Sequence, residues 1–311
     1  MTQPGLFVAD LGIIALLIVG ISRFRSPRGA RQGNLIEALA LALAAAVVMT
    51  RYPITGISFI LPAVLIGGTV GWLVAARVSM VQIPAMVAFQ HGMGGIAATF
   101  VSLVELSRRA GEAPPINAAS AVLGLIVGAA TFSGSMVAAG KLSGRLKQTP
   151  VVLPHHDLIL AALVLAVAAL ASLPSAVGGA LAYRAMLVLT GAAMALGIVF
   201  SVRIGGADMP VLISFLNATA GLAAALCGLT IQNRLLIACG ATVAASGSIL
   251  THVMCRAMNR SLLSIITGTL VTAPPGRDAA MESSAADAAP PPVPIQRRTD
   301  AYSALCARSV A

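Results

Sequence analysis

The chain has 311 residues, of which 58% are hydrophobic before its 30 glycines are counted and 10% are charged, with a mean hydropathy of +0.93. Soluble domains carry about 25% charged residues, so a water-soluble fold is excluded and an integral membrane protein is indicated. The net charge of +10 lies entirely in the first 270 residues, because four arginines balance four acids beyond them.

A membrane span needs about 20 mostly apolar residues. Nine runs qualify, at roughly 5–22, 35–50, 59–76, 85–105, 117–140, 158–173, 185–202, 209–231 and 235–255, the second and sixth being short. The first run is an anchor and not a cleaved signal, since no basic region precedes it and no A-x-A site follows. The basic residues between runs read as topology signals, and nucleic-acid binding is the wrong inference from the high pI. Loops after odd-numbered runs carry Arg23, Arg25, Arg28, Arg31, Arg77, Lys141, Arg145, Lys147, Arg203, Arg256 and Arg260. Loops after even-numbered runs carry Arg51, Arg108, Arg109, Arg184 and Arg234. The bias predicts an all-α bundle of about nine transmembrane helices over residues 1–268, with the N-terminus outside and the C-terminus cytoplasmic.

Composition changes after this bundle. Residues 269–298 hold six of the 17 prolines and few bulky apolar residues, so a disordered linker is expected. Residues 299–311 recover helical spacing, with Thr299 or Asp300 as N-cap. Cys227, Cys239, Cys255 and Cys306 show no metal-ligand spacing, and no metal site is expected.

Ionisable groups at membrane depth are costly and so mark candidate functional positions. Asp10 and Glu37 lie within two turns of helix ends, where capping or snorkelling accounts for them. Asp208 follows Gly205-Gly206 at the start of the eighth helix, a place that suits an acid complementing the helix dipole or one with a functional role. His252 lies near the end of the ninth helix and reads as interfacial, while His155 and His156 fall in a loop and say little.

His91 stands apart. It sits about 9 Å inside the fourth helix, on a small and polar stripe with Gly95, Ala98 and Ser102 that should face other helices. Asn217 lies about 12 Å into the eighth helix and Ser246 about 14 Å from the same side in the ninth. One layer of imidazole, amide and hydroxyl can relay protons, and it can equally be a hydrogen-bonded packing cluster. No glycine-rich nucleotide loop, GxSxG or HExxH sequence is present.

Several segments resemble the membrane part of the β subunit of proton-translocating nicotinamide nucleotide transhydrogenase. They are RQGN at 31–34, MVAFQHGMGGIAA at 86–98, TFSGSMVAAGKLSGRL at 131–146 and VVLPHHD at 151–157, together with RIGGADMPVLISFLNATAG at 203–221 and ASGSILTHVMCRAMNRSLLSIITG at 245–268. The likeness covers about residues 1–268 and implies nine spans in the bacterial inner membrane. It implies proton movement coupled to hydride transfer from NADH to NADP⁺ on soluble domains. By position it assigns His91, Asn217 and Ser246 to the proton path, and Asp208 and Arg260 to coupling with the NADP(H) domain.

The resemblance also implies an α subunit, an NADP(H)-binding domain, membrane lipid and a dimer of heteromers as partners. The chain departs from the family pattern at Gly92, where the pattern has Ser, at Ala245, where paired serines are expected, and at His252, where Tyr is expected. Residues 299–311 resemble only the opening of a Rossmann-like domain, with no phosphate-binding glycines after them. NADP(H) and NAD(H) are therefore expected on partner domains, with no cofactor bound by this chain. A stand-alone proton channel, a small-solute transporter or an inactive remnant are the alternative readings.

Overall fold

In a computed structural model the described residues are 3–23, 27–51, 56–108, 114–173 and 179–267. The linker expected at 269–298 and the helical stretch expected at 299–311 lie outside them. The elements are α1 (Gln3–Arg23), α2 (Pro27–Arg51), α3 (Ile57–Arg77), α4 (Ile83–Arg108), α5 (Pro115–Leu142), α6 (His156–Leu170), α7 (Gly179–Val202), α8 (Met209–Thr230), α9 (Arg234–Ala257) and the short α10 (Leu262–Thr267). No strand occurs among the described residues.

Eight of these helices are long and apolar enough to cross a membrane, one for each apolar run except the sixth. That run forms α6, whose 15 residues reach about 22 Å, short of a hydrocarbon core of about 30 Å. The second and seventh runs extend further back than hydropathy suggests. α2 begins at Pro27 and α7 at Gly179, so Arg31 and Arg184 stand inside helices and not in loops.

Local sequence sets the ends. Pro115 opens α5 at a position where its missing N–H is no loss. The Asn233 side chain accepts from Leu236 N at 3.1 Å and caps α9. Ser79 and Gln82 form a reciprocal capping box on the 3₁₀ turn that leads into α4.

Lipid offers no hydrophobic drive for helices to associate, so close van der Waals contact must do it. Glycine permits that contact at several crossings, two of which bear on the site. Where α4 crosses α5, a Cβ on Gly95 would stand 2.7 Å from Gly128 O, and one on Gly128 would stand 2.7 Å from Gly95 O. Where α8 meets α9, a Cβ on Gly247 would lie 2.6 Å from Ala218 N, and one on Gly228 would lie 2.6 Å from Ile237 N. By contrast α3 buries none of its residues against the other described helices, which leaves its surface to lipid or another chain.

Asp10 corrects an expectation. It neither snorkels nor caps, being 4% exposed and bonded at 2.8 Å to Arg51. α1 and α2 pack against each other, and that packing brings the two charges together. Glu37 sits on the same pair of helices, its Cγ against Gly20.

Candidate functional site

α4 and α8 run side by side in the same direction. Ala88 clusters with Leu212 and Leu216, and Ala98 with Ala223 and Cys227. Cys227 Sγ donates to Ala98 O at 3.3 Å and lies 3.7 Å from Ser102 Oγ. Ser102 and Cys227, 125 positions apart, mark one level, and the same offset sets His91 level with Leu216, beside Asn217. His91 precedes Ala98 by two turns and so shares the face that Ala98 turns to α8.

α9 runs antiparallel to α8, with Gly247 against Ala218 and Gly240 against Ala225. Asn217 and Ser246 are the residues just before Ala218 and Gly247. One residue back is a turn of about 100°, which on antiparallel neighbours leads to the same side of their contact. The structure thus brings His91, Asn217 and Ser246 to one level, the latter two on a common side.

It does not join them. Ser246 Oγ donates to Val243 O within its own helix at 3.0 Å. Among the described residues neither His91 nor Asn217 makes a side-chain hydrogen bond, and all three are half-buried. A packing cluster bonded to itself is therefore not what the layer is. Gly92 also has a local explanation. A Cβ there would overlap the terminal methyl of Met136 and come within 3.1 Å of Ser135 Cβ, so a neighbour already fills the space of the missing serine side chain.

Asp208 and Arg260 meet. Arg260 Nη1 donates to both Asp208 carboxylate oxygens, at 2.9 and 2.8 Å. The acid makes no capping hydrogen bond to α8, although it occupies the N-cap position, so the ion pair and not the cap accounts for it. The turn after α9 aims the arginine. Asn259 takes a left-handed conformation at φ 51°, and Arg260 N returns to Cys255 O at 2.9 Å, which ends the helix and starts α10.

A double-mutant cycle of Asp208→Asn and Arg260→Gln is expected to give a coupling energy of about 2 kcal/mol, since the pair is largely desolvated. Thermal unfolding in detergent of the four variants measures it. Additive effects would mean that the pair is only a surface contact.

The segment between α7 and α8 is pinned from several directions. Lys141, 2% exposed in the last turn of α5, donates from Nζ to Val202 O at 2.6 Å and Ile204 O at 2.7 Å. Arg203 pairs with Asp157, Gly206 N bonds Gln148 O at 2.9 Å, and Val151 N bonds Val202 O at 3.2 Å. Lys141 is thus no loop charge, and its spacing gave no sign of this.

His156 was passed over for a similar reason. It is 3% exposed, its Nδ1 accepts from Leu153 N at 3.3 Å, and its Nε2 is buried without a partner among the described residues. His252 is exposed, at the same end of the bundle as Asp208 and Arg260.

Fold and layer together define a multi-pass helical membrane protein with a polar level inside its apolar slab. Residues 7–306 match the family described as NAD(P) transhydrogenase beta subunit. The chain is 39% identical over 275 residues to the NAD(P) transhydrogenase subunit beta of Rhodospirillum rubrum, covering 86% of this chain and 59% of that one. The same subunit from a named strain of that species matches to the same extent. The chain belongs to the NAD(P) transhydrogenase beta subunit family. It spans about three-fifths of the length of the curated relatives it matches.

Proposed function

We propose that this chain is the membrane part of a transhydrogenase of the bacterial inner membrane, moving protons across the bilayer as hydride passes between NADH and NADP⁺ on soluble domains outside residues 1–268. The observation that carries this is the common level of His91, Asn217 and Ser246 on three helices whose contacts fix their heights. Imidazole takes and gives a proton near neutral pH, and a half-buried intramembrane histidine has a direct use for that chemistry. With no direct bond among the three, the proton passes through bridging water or groups of another chain, and the α subunit is the partner the family supplies.

Asp208 and Arg260 would pass the state of the nucleotide domains to this layer. Asp208 begins the helix that carries Asn217, and Arg260 stands between the helix that carries Ser246 and the chain leading onward. NAD(H) and NADP(H) belong to the partner domains, and the assembly is a dimer of heteromers. The excess of basic residues at the end of the bundle bearing this ion pair supports a cytoplasmic side for that end.

His91→Lys and Asn217→Ala are expected to abolish proton movement coupled to hydride transfer in vesicles that also contain the partner domains. A pH-sensitive dye reads the proton and nucleotide absorbance reads the hydride. Normal coupling in both variants would overturn the assignment. The control is Thr219→Ala, on the opposite side of α8, which is expected to remain coupled.

A further inference from the structure

A cavity of about 770 Å³ opens between α8, α9 and the start of α10. Thr219 and Ser248 line it, and these are the residues just after Ala218 and Gly247. One residue forward turns to the side opposite Asn217 and Ser246, so the cavity is separate from the proposed proton path. Its volume lies in the range of small-molecule sites.

The lining is graded along the helices. Phe215 and Leu222 supply apolar walls farther in, with the small Thr219 and Ser248 between them. His252 and Arg256 stand one turn apart on the same face of α9 at the end of the bundle, where Leu262 also lies. Both are exposed, and Arg256 has no acidic partner among the described residues. Arg260 also lines the cavity, but its charge is committed to Asp208.

Length selects the occupant. Along α9 the lining runs from Ala244 to Arg256, which is about 18 Å at 1.5 Å per residue. One leaflet of hydrocarbon is about 15 Å deep. The cavity therefore reaches from the membrane face to about mid-bilayer, with its cation at headgroup level and its apolar walls beneath. A transmembrane helix of another chain would need a groove across both leaflets, and a soluble anion would have no use for the apolar depth.

We infer that this cavity binds an anionic phospholipid, its phosphate against Arg256 and His252 and an acyl chain along Phe215 and Leu222. Basic pockets between membrane helices are suited to such headgroups.

The test is to solubilise the full chain from its membrane, exchange it into nanodiscs of phosphatidylcholine with graded phosphatidylglycerol, and count retained lipid by native mass spectrometry. The wild type is expected to retain phosphatidylglycerol in preference to phosphatidylcholine, and Arg256→Gln to weaken that retention at least tenfold. Ser248→Trp, which fills the cavity, is expected to abolish retention whatever the headgroup. Equal retention of the two lipids, no change in Arg256→Gln, or displacement by millimolar inorganic phosphate would each overturn the proposal. So would a photoreactive residue at Ser248 that crosslinks to protein and not to lipid.

Discussion

Replacing Gly95 with valine is expected to lower the unfolding free energy by about 3 kcal/mol, and to uncouple whatever protein still folds. At this crossing a Cβ meets backbone and not a movable side chain, at 2.7 Å from Gly128 O and 2.9 Å from Phe132 N. Neither atom can shift without parting α4 from α5. In lipid no hydrophobic gain offsets the lost contact, because tails and side chains are alike in polarity. His91 lies one turn away on α4, so parting the helices also moves the imidazole relative to Asn217 on α8.

Gly94→Val is the matched control. It places the same β-branched side chain in the same helix, at a position where a Cβ meets nothing within 4 Å. Helix-propensity costs are then shared, and the difference between the two variants isolates the crossing. Thermal melts of the purified protein in detergent measure it. Equal melting temperatures would show that α4 and α5 are not in close contact in the membrane.

Much of the bundle was legible because the bilayer constrains sequence directly. A span must be apolar for about 20 residues, so eight helices and the shorter α6 could be counted from hydropathy. The level of His91, Asn217 and Ser246 was legible too, since depth along a helix is a matter of counting residues from its end.

Lateral arrangement was not legible. That Ser246 and Asn217 share a side of the α8–α9 contact depends on Gly247 meeting Ala218, which no periodicity within one helix can express. The pairing of Asp10 with Arg51, across 41 positions, depends likewise on α1 lying against α2. Polar residues near span ends were misread for one reason. Hydropathy assigns them to an interface, yet packing between helices buried Asp10, Lys141 and His156.

Lys141 separates those two kinds of reading. As a topology signal it would be one positive charge among several at its face, interchangeable with Lys147 a few residues on. In the fold it is a buried ammonium on two carbonyls at the end of α7, where a helix leaves acceptors unpaired and its dipole favours a cation. Lys141→Met keeps the side-chain volume and removes both donations. Val202 O retains its bond from Val151 N, while Ile204 O has no other donor to turn to among the described residues. A buried acceptor stripped of its donor costs about 1–3 kcal/mol, and the charge-assisted bond lost at Val202 adds to it, so about 3 kcal/mol is expected in all.

The loss would fall on the segment that leads to Asp208, so amide exchange should quicken across 203–208 before the bundle unfolds. Lys147→Met, at an exposed position, should leave both stability and exchange unchanged. Exchange measured by mass spectrometry on the two variants decides between the readings. If they behave alike, Lys141 is a charge that sets orientation. If only Lys141→Met loosens 203–208, the lysine is the fastening that holds Asp208 in register with Arg260, and a change there would reach the Asn217 helix without touching the proton path.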